Sequence, residues 1–211
     1  RAHPTLLSEV YGAALELGIA EGDARRAIRN YSLRAPDPDP PKWPWPFEVR
    51  TLGGFEVLRD GQPLAFSRKL PRKTLALLKA IIALGGRSVS EQRLLDALWP
   101  DEEGDAGARA LDATVLRLRT LLGDAAAIEQ RGGRVSLNPQ RVWVDMFAFD
   151  RALGMADEAA HRHDAAAEQA PLQRALALYR GAFLVEDEGE AWPVAARERL
   201  RGRFIHALAR H

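Results

Sequence analysis

The chain has 211 residues, 46% hydrophobic and 28% charged, with a net charge of +1 at neutral pH. That composition suffices for one or two small packed domains and excludes both a wholly disordered chain and a histone-like polycation. Cysteine is absent, which excludes disulfides and a cysteine nucleophile, and no apolar run reaches the roughly 18 residues of a membrane span. No basic and apolar leader follows Arg1, so no signal peptide, no membrane partner and a cytoplasmic location are expected. The missing initiator Met reads as an excerpt or a processed chain. Arginine outnumbers lysine 26 to 4 and alanine reaches 36. A GC-rich genome accounts for that bias, and so does a need to grip phosphate.

Residues 1–34 read as the helical end of a preceding domain. A helix over 4–18 would place Leu6, Leu7, Val10, Ala14 and Leu17 on one face and stop at Gly18, and a second would run from an Asp23 N-cap to Ser32. Residues 35–46, APDPDPPKWPWP, hold six prolines and read as an extended linker whose Trp43 and Trp45 can pack on a neighbour. Alternation over 47–66, with turns at Gly53-Gly54 and Asp60-Gly61, predicts three strands. Leu75, Leu77, Leu78, Ile81, Ile82 and Leu84 make 70–86 a helix with a broad apolar face. Residues 90–100 form the next, with Ser90 as N-cap and Pro100 as stop. An acidic loop follows, then a helix from about Ala108 to Leu122. IEQRGGRVSLNPQRVWVD, 128–145, reads as one β-hairpin with Gly132-Gly133 near its tip.

Strands, three helices and a hairpin in that order describe an α+β winged helix-turn-helix over 47–145, with an N-terminal β-sheet and a C-terminal hairpin wing. Strand signals then vanish. Helices over about 147–168, 170–181 and 191–210 give 146–211 an all-α, tetratricopeptide-like character. The apolar run Val142, Trp143, Val144, Met146, Phe147 and Phe149 predicts that this tail packs against the winged helix.

Residues 89–124 carry Ser90, Leu94-Leu95-Asp96, Leu98-Trp99, Arg109, Asp112, Val115 and Arg117-Leu118-Arg119. With the preceding strands and the Arg131–Arg134 hairpin, the ordered set resembles the DNA-binding domain of OmpR/PhoB-type regulators. The wing departs from that pattern, since Arg131-Gly132-Gly133-Arg134-Val135 lacks the second spaced glycine and the aromatic. Downstream, Ala177, Tyr179-Arg180-Gly181, Phe183-Leu184, Trp192 and Arg197–Leu200 resemble the bacterial transcriptional activator domain of SARP-type activators, here reading as truncated. The helical start and the WPWPFEVRTLGGFEVLRDGQPL junction resemble the C-terminal region of MalT-like signalling ATPases that carry this domain pair. The resemblance implies a sequence-specific DNA-binding regulator, with duplex DNA as partner and an upstream ATPase or sensor domain in the same chain. It also implies that the loop before the recognition helix, here Asp101, Glu102, Glu103 and Asp105, meets RNA polymerase.

On a helical wheel, Val115, Leu118 and Leu122 fall within about 40° of Leu111 and face inward. Arg109, Ala113, Leu116 and Thr120 oppose them, with Arg117 on the flank. Arg109 is placed to reach a base edge, Arg117 and Arg119 suit phosphates, and Arg131 and Arg134 suit a minor groove. Between 109 and 141, six arginines against three acids give a local excess of +3. Each has a plainer reading: arginines on a solvated helix face, a hairpin kept soluble, Asp112 as a structural partner and an acidic loop merely hydrated. A winged helix kept as a protein-interaction scaffold inside a signalling ATPase is the alternative function. No phosphate-loop, hydrolase or HExxH motif is present, and His161 and His163 do not share a helical face, so no enzyme, metal or cofactor is expected.

Overall fold

A computed structural model describes residues 4–36, 40, 42–66, 72–102 and 104–211. Alternating residues pair β1 (Phe47–Arg50) with β2 (Glu56–Arg59), Val49 opposite Val57. Asp60 and Gly61 both take positive φ, 49° and 78°, as a two-residue I′ turn requires, and lead to β3 (Gln62–Pro63). Helices α3 (Arg72–Ala83), α4 (Glu91–Leu98) and α5 (Asp105–Leu122) follow, with β4 (Val89–Ser90) between the first two. Strands β5 (Ile128–Arg131) and β6 (Arg134–Leu137) form the wing, joined by Gly132 and Gly133 at φ 58° and 69°, and β4 pairs with β6.

The hairpin expected over 128–145 ends at Leu137. Asn138 starts a tight turn, its side chain accepting from Gln140 N at 2.9 Å and its carbonyl from Arg141 N and Val142 N. Pro139 cannot donate to a ladder. The chain therefore leaves the wing, and β7 (Val142–Val144) runs parallel to β1, Val49 opposite Val144, completing a sheet ordered β3-β2-β1-β7.

Three further helices are α6 (Asp145–His161), α7 (Ala165–Leu178) and α8 (Val194–Arg210). The break lies at 162–164, earlier than expected, because Asp164 caps α7 by accepting from Ala167 N at 3.0 Å. Pro171, expected near a helix start, sits inside α7. Phe149, Leu172, Phe183, Leu184 and Leu200 share one hydrophobic core with Leu77, Ile81, Leu111 and Val144. The helical tail thus packs against the winged helix, as the apolar run predicts.

Asp145 closes the joint between these parts. It is 1% exposed and accepts from Thr51 N (2.8 Å), Thr51 Oγ1 (2.7 Å), Leu52 N (3.0 Å) and its own neighbour Met146 N (2.8 Å). Burial pushes its carboxyl up from the ordinary aspartate value, with those donors opposing the shift. Alongside, Leu184 N donates to Thr51 O (2.9 Å) and Gly53 N to Ala182 O (3.1 Å). Lys79 pairs with Asp187 at 2.7 Å.

At the N-terminal end, α1 (Pro4–Glu16) and α2 (Glu21–Asn30) form a second, smaller core with Trp43 and Trp45, against which Trp143 packs. The expected apolar face of α1 is not the buried one: Leu6, Val10 and Leu17 are 56%, 53% and 73% exposed. Ser8, Gly12 and Leu15 are buried instead. Gly12 presents so little bulk that a Cβ there would lie 3.1 Å from Pro40 Cγ, so Pro36 and Pro40 lie on the small-residue side. Helix α2 starts before Asp23, after Ala20 in the left-handed region, and Ser90 occupies the N-cap of α4 without a side-chain capping bond.

Candidate nucleic-acid interface

Helix α5 is fixed from behind and open in front. Leu111, Val115, Leu118 and Leu122 are at most 2% exposed. The helix ends at Gly123 in the left-handed conformation, φ 68°, whose N–H returns to Arg119 O at 2.9 Å. Arg59 reaches from β2 to the last carbonyls, Leu121 O at 3.3 Å and Leu122 O, setting a cation against the negative end of the helix.

The outward stripe holds Arg109, Asp112, Leu116, Arg117 and Thr120, all exposed, with Ala113 half-buried between them. Leu116 is 63% exposed, large for a leucine in the middle of a helix whose opposite face is core. Among the described residues, Arg109, Arg117 and Arg131 make no ion pair or side-chain hydrogen bond. Thr120 Oγ1 donates to Leu116 O at 2.9 Å, on its own helix.

Other expected contacts are placed differently. Arg119 is half-buried and its Nε donates to Ile128 O at 3.0 Å, tying α5 to the first residue of the wing. Arg134 is exposed at the wing tip, yet its Nη1 donates to Ser88 O at 2.9 Å. Asp112 accepts from Gln130 Nε2 at 2.7 Å, and the same amide donates to Glu91 Oε1 at 3.0 Å. Gln130 therefore joins α4, α5 and β5, a role the sequence reading missed and that no local pattern signals. It sets the wing strand beside the middle of α5, with Arg131 next in the chain.

Asp101 and Glu102 lie exposed in the turn between α4 and α5. Asp105, expected in that loop, is the first residue of α5, and Glu103 lies outside the described residues. His161 ends α6 with Nδ1 2.6 Å from Asp157 O, and His163 sits in the following turn at φ 56°. Among the described residues no cluster of three potential metal ligands forms, and no helix is long and apolar enough to cross a membrane.

Residues 67–133, which span α3 to the wing turn, match the family described as "Transcriptional regulatory protein, C terminal". The regulatory protein AfsR of Streptomyces coelicolor is 29% identical over 150 residues, 71% of this chain and 14% of the relative. The AfsR of Streptomyces griseus is 25% identical over 153 residues, 72% of this chain and again 14% of the relative. The chain thus spans a small part of the length of the relatives it matches. Among solved structures, Mycobacterium tuberculosis EmbR in complex with a low affinity phosphopeptide shares the fold at TM-score 0.63 and 20% identity, over 77% of this chain and 43% of that one. These likenesses favour the regulator over the scaffold reading. The chain carries an OmpR/PhoB-type winged helix followed by a SARP-like helical region, the architecture of DNA-binding transcriptional regulators.

Proposed function

We propose that α5 enters the major groove of promoter DNA and that the β5–β6 wing reaches the adjacent minor groove. The observation that carries this reading is the pair of exposed arginines, Arg109 and Arg117, unpaired among the described residues, on a helix whose other face and C-terminal end are fixed. Arg109, in the first turns, reads a guanine edge, and Leu116 and Ala113 offer apolar contact to a thymine methyl. Arg117 and Thr120 meet phosphate, and Arg131 and Arg134 follow the minor groove. Arg119 acts differently from a free phosphate ligand. It orients the wing through Ile128 O. The role is one of binding and not of catalysis, in the cytoplasm, with the remainder of a longer regulator, such as an ATPase or sensor domain, supplying the signal.

Fluorescence anisotropy over a salt series tests the arrangement. Arg117→Ala should weaken binding to all sequences alike and flatten the log–log salt slope by about 0.9. Arg109→Ala should narrow the gap between operator and scrambled DNA by about 1–3 kcal/mol. Arg119→Ala should lower folding stability by about 1–2 kcal/mol, with a smaller change in slope than Arg117→Ala. Equal slopes for the wild type and Arg117→Ala would remove the phosphate role.

The exposed carboxylates Asp101 and Glu102, together with Glu103, are proposed to meet a basic surface of RNA polymerase. Carboxylates facing a polyanion would weaken DNA binding, so a different partner suits them better. The double change Asp101→Ala, Glu102→Ala should leave DNA affinity equal or slightly higher and lower transcription from a responsive promoter. Undiminished transcription would reduce the turn to a hydrated loop.

A further inference from the structure

A cleft of about 360 Å³ opens where the N-terminal unit, the winged helix and the helical tail meet, on residues with no part in the proposed DNA surface. Trp45 comes from the small N-terminal core, Leu137 and Arg87 border the wing, Trp143 belongs to β7 and Phe147 to α6. The cleft is lined mainly by apolar groups, three of them aromatic side chains. Its volume lies at the small end of ligand sites, which run about 300–1,000 Å³. A single ring or a fused pair fits that space and can stack on indole or phenyl.

The charges around it are unequal. Arg87 lines the cleft, is exposed and makes no ion pair among the described residues. The carboxylate there, Asp150, is already engaged by Arg199 at 2.9 Å and Arg203 at 2.5 Å. An occupant therefore meets an aromatic wall with the Arg87 guanidinium at its rim. We infer that this cleft binds a small planar aromatic anion, its ring among Trp45, Trp143 and Phe147 and its carboxylate or equivalent group on Arg87.

The floor of the cleft connects to the wing. Gly86 lies against the Phe147 ring so closely that a Cβ there would fall 2.4 Å from it, and Gly86 O accepts from Leu137 N at 2.8 Å. An occupant touching Phe147 thus touches the packing that holds the end of β6.

The probe is 2-naphthoate, titrated into the intact chain and followed by tryptophan fluorescence and by the indole N–H resonances. Saturable one-to-one quenching is expected, with shifts at Trp45 and Trp143 and none at Trp99 or Trp192. Uncharged 2-naphthamide should bind about tenfold more weakly, as should naphthoate to Arg87→Ala, while the amide should not distinguish the two proteins. Arg87 is on the surface, so unchanged circular dichroism should accompany the loss, and Arg87→Lys should restore part of it. The inference is overturned if no saturable binding occurs into the millimolar range. Equal affinity of naphthoate for wild type and Arg87→Ala, or shifts centred on Trp99 or Trp192, overturn it as well.

Discussion

Replacing Asp145 with alanine should cost about 3–5 kcal/mol of folding free energy, read as a lowered midpoint in urea. The carboxylate accepts three backbone N–H groups and one hydroxyl in a site that is 1% exposed. A buried donor left without a partner costs about 1–3 kcal/mol, and the separate penalties overlap because the loop can relax. Asp145→Asn should fall between the two proteins: one oxygen still accepts, while the new amide turns its own N–H groups toward donors. The pH dependence has a defined sign. Burial raises the folded-state value above the ordinary 3.8. This contribution to stability is therefore fully present below that value and declines as pH rises through the folded one. The gap between wild type and Asp145→Ala should accordingly be widest in acid and narrow toward neutrality. A gap that widens with pH would mean that the donors outweigh burial.

Phe149→Ala is expected to lose a comparable amount, about 3–5 kcal/mol for a large ring removed from a filled core. Phe149 is 0% exposed and meets the Tyr179 ring at 5.6 Å between centroids, and Tyr179 stacks on Phe204 at 4.1 Å. The three rings thus link α6, the end of α7 and α8. Their core is continuous with that of the winged helix. The loss should therefore appear equally at Trp99, at the end of α4, and in total helicity, as one transition moved to lower urea. Separate transitions for the two signals would show that the parts unfold independently.

The elements of the winged helix were legible where a local pattern dictates them. Leu111, Val115, Leu118 and Leu122 marked the inner face of α5 by spacing alone, and the expected end at Leu122 is where the helix ends. Asp60-Gly61 and Gly132-Gly133 announced their turns because few other pairs tolerate two positive φ values. Long-range choices were not legible. Val142–Val144 alternates as well in a hairpin as beside β1, and only the β1 partner, far away in sequence, decides. Helix α1 offers a leucine-rich side, yet the prolines fit the side with Gly12. In the candidate interface, exposure of Arg109, Leu116 and Arg117 followed from periodicity. The engagement of Arg119 by Ile128 O, and of Asp112 by Gln130, depends on where the wing folds back against α5, which the periodicity of α5 itself does not reveal.

The close approach of residue 53 to residue 181 bears on how such chains can be recombined. A Cβ on Gly53 would lie 2.8 Å from Arg180 C, and one on Gly181 would lie 2.9 Å from Gly53 Cα. Each glycine is required by the other, although one belongs to the β1–β2 turn of the winged helix and the other to the segment before α8. A helical tail grafted behind a winged helix with any residue other than glycine at the position of Gly53 would meet a side chain where it needs bare backbone. Separating the two parts should therefore lower the stability of both. A workable splice point lies ahead of Phe47, and one at Asp145 would separate residues that fit only each other.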